Sequence, residues 1–301
     1  MAESVGNSNM ITRKYLDSLL IETRYMNAAC PSLEMKLYGK TFSSPIMTSA
    51  LSHLDHFMFE GATKRYAEGA AKADVILWIG MADEKEVELC ASTGAPVIEI
   101  IKPYTDRELI YKKIRHAEKL GLLAVGIDID HPFANDGSLD MVDGFEMTPM
   151  TREELRQICT STRLPVIAKG VLSVYDAQEA VKAGVKGLVL SHHNNRIEYA
   201  VPPLMALPKI KMHIPKDIPI FVDCEIRTGM DAFKALALGA TAVCIGRPLM
   251  TAIKKSGAEG VCEYLTQAKN ELRKAMAYTG CKDLSHMDPT IVHKGAVMWY
   301  S

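Results

Sequence analysis

An α/β barrel of eight parallel strands is the fold this sequence predicts, on three observations. Short β-branched runs recur, each ending in polar or charged residues: Pro-Val-Ile-Ala-Lys-Gly at 165 to 170, Leu-Val-Leu-Ser-His-His-Asn-Asn-Arg at 188 to 196, Pro-Ile-Phe-Val-Asp-Cys-Glu-Ile-Arg-Thr-Gly at 219 to 229, and Ala-Val-Cys-Ile-Gly-Arg-Pro at 242 to 248. Helical patterns such as Val174 to Ala183 and Met230 to Leu238 separate most of them, so the period is strand, helix, strand. The length, 301 residues with 48% hydrophobic content, suits one (β/α)8 TIM barrel with insertions and needs no second domain. In that architecture the carboxyl ends of the strands share a rim, and the polar residues closing each run converge there.

Taken in order, residues 1 to 9 read as irregular and 10 to 30 as an amphipathic helix covering the barrel bottom or preceding it. Residues 1 to 36 form an N-terminal extension, 37 to 280 the barrel, and 281 to 301 a tail that packs on the outside or on a neighbouring subunit. Pro45 to Ala50 is the first strand, returned by an Ala-rich helix over Glu60 to Ala73. Val75 to Gly80, Glu84 to Ala91, Pro96 to Ile101 and Asp106 to Leu120 continue the alternation, and Leu122 to Asp130 is the fourth strand. His131 to Met150, with Pro132, Gly137, Gly144 and Pro149, is long for a βα connection and reads as a lid or specificity loop. Thr151 with Glu154 three residues on has the pattern of a capping box. The four runs quoted above complete the eight strands. An insertion at Ile197 to Lys216 holds a short helix at Leu204 to Ile210, and Pro248 to Ala277 gives one or two C-terminal helices.

Charge narrows the partners. Lys plus Arg is 35 against Asp plus Glu 36, a net charge of −1, and no basic block offers a footprint for nucleic acid or an anionic membrane. A small molecule is the expected partner. Seven cysteines form no C-x-x-C pair and leave an odd one over, which suits reduced thiols in a cytosol, most of them simply small apolar side chains. The first residues lack an apolar core behind a basic start, and no run of about 18 apolar residues occurs. The expected location is therefore cytoplasmic.

Candidate chemistry lies at the strand ends. Lys169 closes the fifth strand, where an ammonium can stabilise an anion or, if its pKa is depressed, form a Schiff base. His193 follows Leu-Val-Leu-Ser and can take a proton near neutral pH. Arg196 can fork onto a carboxylate, and Asp128 can orient His193 if the fourth and sixth strand ends approach. Each also has a plain structural reading: a solvated lysine, a structural histidine, a surface ion pair, a turn cap. Arg227 with Gly229 and Gly246 with Arg247 open helices after the seventh and eighth strands, and two helix starts with two arginines suit a phosphate.

The ordered set Lys169-Gly170, Ser191-x-His193-x-x-Arg196, Asp223-x-x-Ile-Arg227-x-Gly229 and Gly246-Arg247-Pro248, with Phe-Lys-Ala-Leu-Ala-Leu-Gly-Ala at 233 to 240, resembles the FMN-dependent α-hydroxy-acid oxidases and dehydrogenases. The match is close over residues 160 to 250 and fainter from Leu37 to Asp130. The resemblance implies an FMN enzyme that moves a hydride from a 2-hydroxy acid to the flavin, and a homo-oligomer, in this family a tetramer. It implies that Lys169 faces the flavin, that His193 takes the substrate proton with Asp128 steadying it, and that Arg196 holds the substrate carboxylate. Asp223 would bind ribityl hydroxyls, Arg227, Gly246 and Arg247 the phosphate, and Ser49, Glu99 and Ser191 would stand along the cofactor. Departures fall in the same place. The family's Ser-Asn-His-Gly-Gly-Arg is Ser-His-His-Asn-Asn-Arg here, and its Asp-Gly-Gly-Val-Arg is Asp-Cys-Glu-Ile-Arg. The third strand ends in Glu99-Ile-Ile, where the family has a glutamine on the flavin and a tyrosine on the substrate, and no arginine lies between Asp128 and Arg152. A substrate other than simple lactate or glycolate is expected.

Two other readings stand beside this one. In a flavin-free barrel, Glu99, Asp128, Asp130, His193 and Glu225 would ring the mouth and hold a divalent metal for a lyase or isomerase. A non-catalytic barrel would bind a phosphorylated metabolite as a regulatory subunit.

Overall fold

The computed structural model describes residues 5–295. Its eight barrel strands are β1 (Ile46–Thr48), β2 (Leu77–Gly80), β3 (Val97–Ile101), β4 (Ala124–Asp128), β5 (Val166–Val171), β6 (Gly187–Leu190), β7 (Ile220–Val222) and β8 (Ala242–Ile245). Every ladder is parallel, running in order from β2 through β7 to β8 and on to β1. Closure comes where Leu51 bridges Ile79 and the Thr48 amide donates to the Ile76 carbonyl at 3.1 Å. The fold is a (β/α)8 TIM barrel.

Alternation along each strand divides the core in two. Met47, Trp78, Ile98, Ile100, Ala124, Ile167, Val189, Phe221, Ala242 and Cys244 fill the barrel interior, and their neighbours pack outward against the helices. Trp78 meets Phe221 edge to face with centroids 5.3 Å apart. A hairpin of Met35–Leu37 and Lys40–Phe42 closes the bottom: Met35 and Leu37 join the interior cluster, and the Tyr38 hydroxyl donates to the Lys186 carbonyl just before β6.

Besides a single turn at Leu54–Phe57, the α-helices among the described residues are α1 (Ser8–Ser18), α2 (Ala62–Lys72), α3 (Glu84–Ser92), α4 (Arg107–Leu120), α5 (Arg152–Thr160), α6 (Val174–Ala183), α7 (Pro203–Met212), α8 (Gly229–Ala237) and α9 (Arg247–Tyr278). The Thr151–Glu154 capping box forms at the start of α5. Helix α9 is broken at Ser256 and Gly257, so the C-terminal segment is two helices in sequence. None of the described helices is long and apolar enough to cross a membrane.

The N-terminal expectation is corrected. The helix begins at Ser8, capped by the Asn7 side chain, and ends at Ser18, where Leu19–Ile21 pairs antiparallel with Val292–Lys294. It does not lie under the barrel. The Asn195 side chain accepts from the Ser8 amide at 2.6 Å, Asn194 accepts from Asn9 Nδ2 at 3.0 Å, and Thr12 Oγ1 lies 2.9 Å from His192 Nε2. These partners follow β6, so α1 sits over the carboxyl-end rim. Residues 1–4 and 296–301, parts of the expected irregular start and of the tail, lie outside the described residues.

Candidate active site

Inward alternation continues past the strand ends, and this builds the mouth. From Met47 it reaches Ser49, from Ile100 it reaches Lys102, from Ile167 Lys169, from Val189 Ser191, from Phe221 Asp223, and from Cys244 Gly246. All six border one cavity of about 1240 Å³, together with His53, Met81, His131, His193, Asn194, Glu225, Arg227 and Arg247. Of the eleven residues expected along this mouth, eight border the cavity and Asp128 lies beside it, bonded to Lys169; the remaining two, Glu99 and Arg196, do not.

Glu99 has the opposite parity. It faces the helix layer, 3.7 Å from Lys113 of α4, with Oε2 buried and without a partner among the described residues. Burial pushes its carboxyl up to about 7, against the pull of the Lys113 ammonium. The expectation that it stands on the cofactor is therefore wrong: one step along a strand reverses the side a residue faces. Lys102, which the sequence reading passed over, takes the inward place at the end of the same strand.

Arg196 is also corrected. Its guanidinium binds Asp140 Oδ2 at 2.5 Å and the Phe133 carbonyl, holding the loop after β4, and it does not line the cavity. His131 Nε2 lies 3.0 Å from the same carboxylate.

Asp128 is the buried hub of the mouth. Oδ1 accepts from Lys169 Nζ and Oδ2 from Lys102 Nζ, each at 2.7 Å, and all three side chains are buried. Burial alone would raise this carboxyl, but the ammoniums of Lys169 and Lys102 outweigh it and hold the group well below the usual carboxylate range. The Lys169 ammonium is raised in turn: burial opposes its charge and Asp128 more than compensates. A depressed, Schiff-base-forming amine is therefore not what this position holds. Burial, then the Lys102 ammonium 2.5 Å from Nδ1, pushes His131 down to about 4, so its imidazole is neutral.

His193 does not take Asp128 as its nearest carboxylate. Its Nδ1 lies 3.0 Å from Asp130 Oδ1 and 3.7 Å from Asp128 Oδ1. Asp130 fits because Gly170 faces it: a Cβ there would fall 2.1 Å from Asp130 Cγ, and Gly170 has φ +96°. Ser191 Oγ accepts from the His193 amide at 3.0 Å and fixes the start of the turn.

The two arginines expected to hold a phosphate come together, and the carboxylate of Glu225 lies between them. Arg227 Nη2 donates to Glu225 Oε2 at 2.5 Å, and Arg247 donates to the other carboxylate oxygen. The Glu225 side chain is 1% exposed while those of Arg227 and Arg247 are 53% and 47% exposed, all bordering the cavity. The metal ring is broken by the same facts, since Glu99 faces away and Glu225 is held by arginines. Among the described residues Asp128, His131 and His193 do bring ligand atoms within 4.8 Å of one another. Both Asp128 oxygens, however, already accept from ammonium groups, whose charges repel a divalent ion.

Barrel, rim and anion socket together define a class of cofactor-dependent α/β-barrel enzymes, and comparison with known proteins gives its family. The model described as FMN-dependent dehydrogenase matches residues 5–154 and 146–294. The chain belongs to that family; it is an FMN-dependent oxidoreductase of the α-hydroxy-acid oxidase type, and FMN is its cofactor. It is similar to 2-hydroxyacid oxidase 1 of Homo sapiens, 29% identical over 310 residues, covering 89% of this chain and 83% of the relative. Glycolate oxidase of Spinacia oleracea is 29% identical over 290 residues, covering 83% and 78%. The solved structure of a mandelate oxidase variant with (S)-mandelic acid superposes with a TM-score of 0.88 at 26% identity, covering 98% of this chain and 92% of that one. A mandelate oxidase variant with a monooxide FMN adduct gives 0.84 at 26% identity, covering 97% and 93%.

The residues present fit such a cofactor. The cavity is lined by the Lys169 ammonium, by Arg227 and Arg247, and by Ser49, Ser191 and Asp223, which offer hydroxyl and carboxylate partners. Gly246, next to Arg247, packs closely on Ser49: a Cβ on Gly246 would come 3.0 Å from the Ser49 Cβ. The Glu225 carboxylate lies between the two guanidiniums.

Proposed function

We propose that this protein oxidises the hydroxyl of a small metabolite related to the 2-hydroxy acids, in a pocket where Arg196 is held by Asp140 and is not free to grip a substrate carboxylate. The observation that carries the reading is the His193 Nδ1 to Asp130 Oδ1 contact of 3.0 Å at the rim of the cavity that Lys169 borders. With Nδ1 donating to Asp130, Nε2 is left as the acceptor for the substrate hydroxyl proton, and Asp130 stabilises the imidazolium that results. Bound FMN supplies the acceptor for the hydride that leaves the carbon. Lys169 would neutralise charge on the flavin side, and Arg227 and Arg247 would hold its phosphate.

The substrate reading rests on charge. Arg196 is paired with Asp140, and Lys102 and Lys169 with Asp128. Lys102 and Lys169 share one carboxylate and keep a net positive charge, but both are buried and directed at Asp128 while Arg196 is held by Asp140. A carboxylate entering beside His193 therefore finds no free guanidinium at Arg196, and the reading favours an uncharged group next to the reacting carbon. The test is anaerobic mixing of the flavin-loaded protein with a panel of alcohols, following bleaching of the flavin band. Uncharged hydroxy ketones, hydroxy amides or diols should bleach it faster than lactate, glycolate or mandelate, and faster bleaching by the acids would remove the uncharged-substrate reading. His193→Ala should slow bleaching by about 10²- to 10⁴-fold while leaving flavin bound; an unchanged rate would remove His193 as the base.

A further inference from the structure

We infer that Glu225 is an internal competitor for the cofactor phosphate, so that FMN enters by exchanging one anion for another between Arg227 and Arg247. The inference rests on the flavin reading above. Three observations carry it. Each carboxylate oxygen of Glu225 accepts from a different arginine, which is the two-sided grip a phosphate monoester would receive. The carboxylate is buried although both arginines are half exposed and border the cavity, so it occupies the inner position of the socket. Glu225 and the preceding Cys224 also keep left-handed backbone, φ +62° and +66°, which glycine adopts without strain and other residues do not. The strained turn is pinned from outside by Arg13, whose Nη1 donates to the Glu225 carbonyl at 2.9 Å. A side chain kept at such a position, and aimed at the two cations the phosphate needs, lowers FMN affinity without touching the ring end of the cavity.

The consequence is selectivity of a particular kind. Riboflavin, which lacks the phosphate, has no quarrel with Glu225, so the wild-type chain should prefer FMN over riboflavin only weakly. Full-length protein stripped of flavin would be titrated with each ligand, following quenching of flavin fluorescence. Glu225→Gln should tighten FMN by roughly 10- to 100-fold, the worth of removing a charge-assisted competitor, and leave riboflavin unchanged within about threefold. Glu225→Gly, which suits φ +62°, gives the same reading if the glutamine variant does not fold. An FMN affinity unaltered in both variants, an equal gain for riboflavin, or a wild-type preference for FMN beyond roughly 100-fold would each overturn the inference while leaving the oxidoreductase reading intact. Failure of every form to bind either flavin would overturn both.

Discussion

Among the non-glycine residues around the mouth with positive φ are five in the turns after β6 and β7: His193 (48°), Asn194 (56°), Asn195 (66°), Cys224 (66°) and Glu225 (62°). Each costs about 1 kcal/mol relative to ordinary backbone, and the side chains offset this through contacts a glycine could not make. Asn194 and Asn195 fasten α1 over the rim, and Glu225 ties the two arginines. Gly170 makes the converse case. With φ +96° and Asp130 against its α-carbon, it admits the carboxylate that orients His193. Gly170→Ala should displace Asp130, reduce flavin bleaching by roughly 10²-fold and destabilise the fold by about 1 to 3 kcal/mol. Stopped-flow reduction of the folded, flavin-loaded variant checks this, and a rate equal to the parent's would show that Asp130 is not the orienting group.

Within β3 and α4, one ionisable group sits on the wrong side of a strand to serve the site. Glu99 faces Lys113, and burial lifts its carboxyl from 4.5 to about 7. The folded chain therefore holds a proton, between those two values, that the unfolded chain has released. Stability is full below about 4.5 and is lost as pH rises through 7, by on the order of 3 kcal/mol. Glu99→Gln should abolish this loss and melt higher than the parent at pH 8. Thermal unfolding at pH 5 and pH 8 provides the comparison, and an equal pH slope in parent and variant would count against it. Hydrophobic periodicity locates β3, but no turn or cap in the chain establishes which of its alternating faces points inward. Once Ile98 and Ile100 are known to fill the barrel, Lys102 follows as the mouth residue. His131 and Asp140 carried no comparable signal, because irregular loops have no period.

The chain closes its own top. Helix α1 crosses to the rim, and its Arg13 binds Asp231 at the start of α8, Asp17 one turn on, and the Glu225 carbonyl. The buried Asp231 carboxylate also accepts from the Arg227 and Thr228 amides, which set the entry to α8 beside the anion socket. Burial alone would raise that carboxyl; the Arg13 guanidinium brings it below the usual range. Arg13→Ala should therefore cost about 2 to 3 kcal/mol by leaving a buried charge with fewer partners, and should weaken flavin retention. Urea unfolding with a flavin-release assay measures both, and loss of stability with retention unaltered would separate α1 from the socket.

Sequence periodicity was enough to give eight strands, their intervening helices and the rim on which polar residues gather, because burial repeats every second residue in a strand and every third or fourth in a helix. The ordered motifs from Lys169 to Arg247 were enough to indicate the family. Pairing was not readable, because it depends on which strand ends lie across the mouth from one another. That Asp130 lies nearer His193 than Asp128 does, that Lys102 and Lys169 share one carboxylate, that Arg196 binds the loop after β4, and that Glu225 lies between Arg227 and Arg247 are facts of three-dimensional proximity. Charge type is written in the chain, but the partner of each charge is fixed only when the barrel closes.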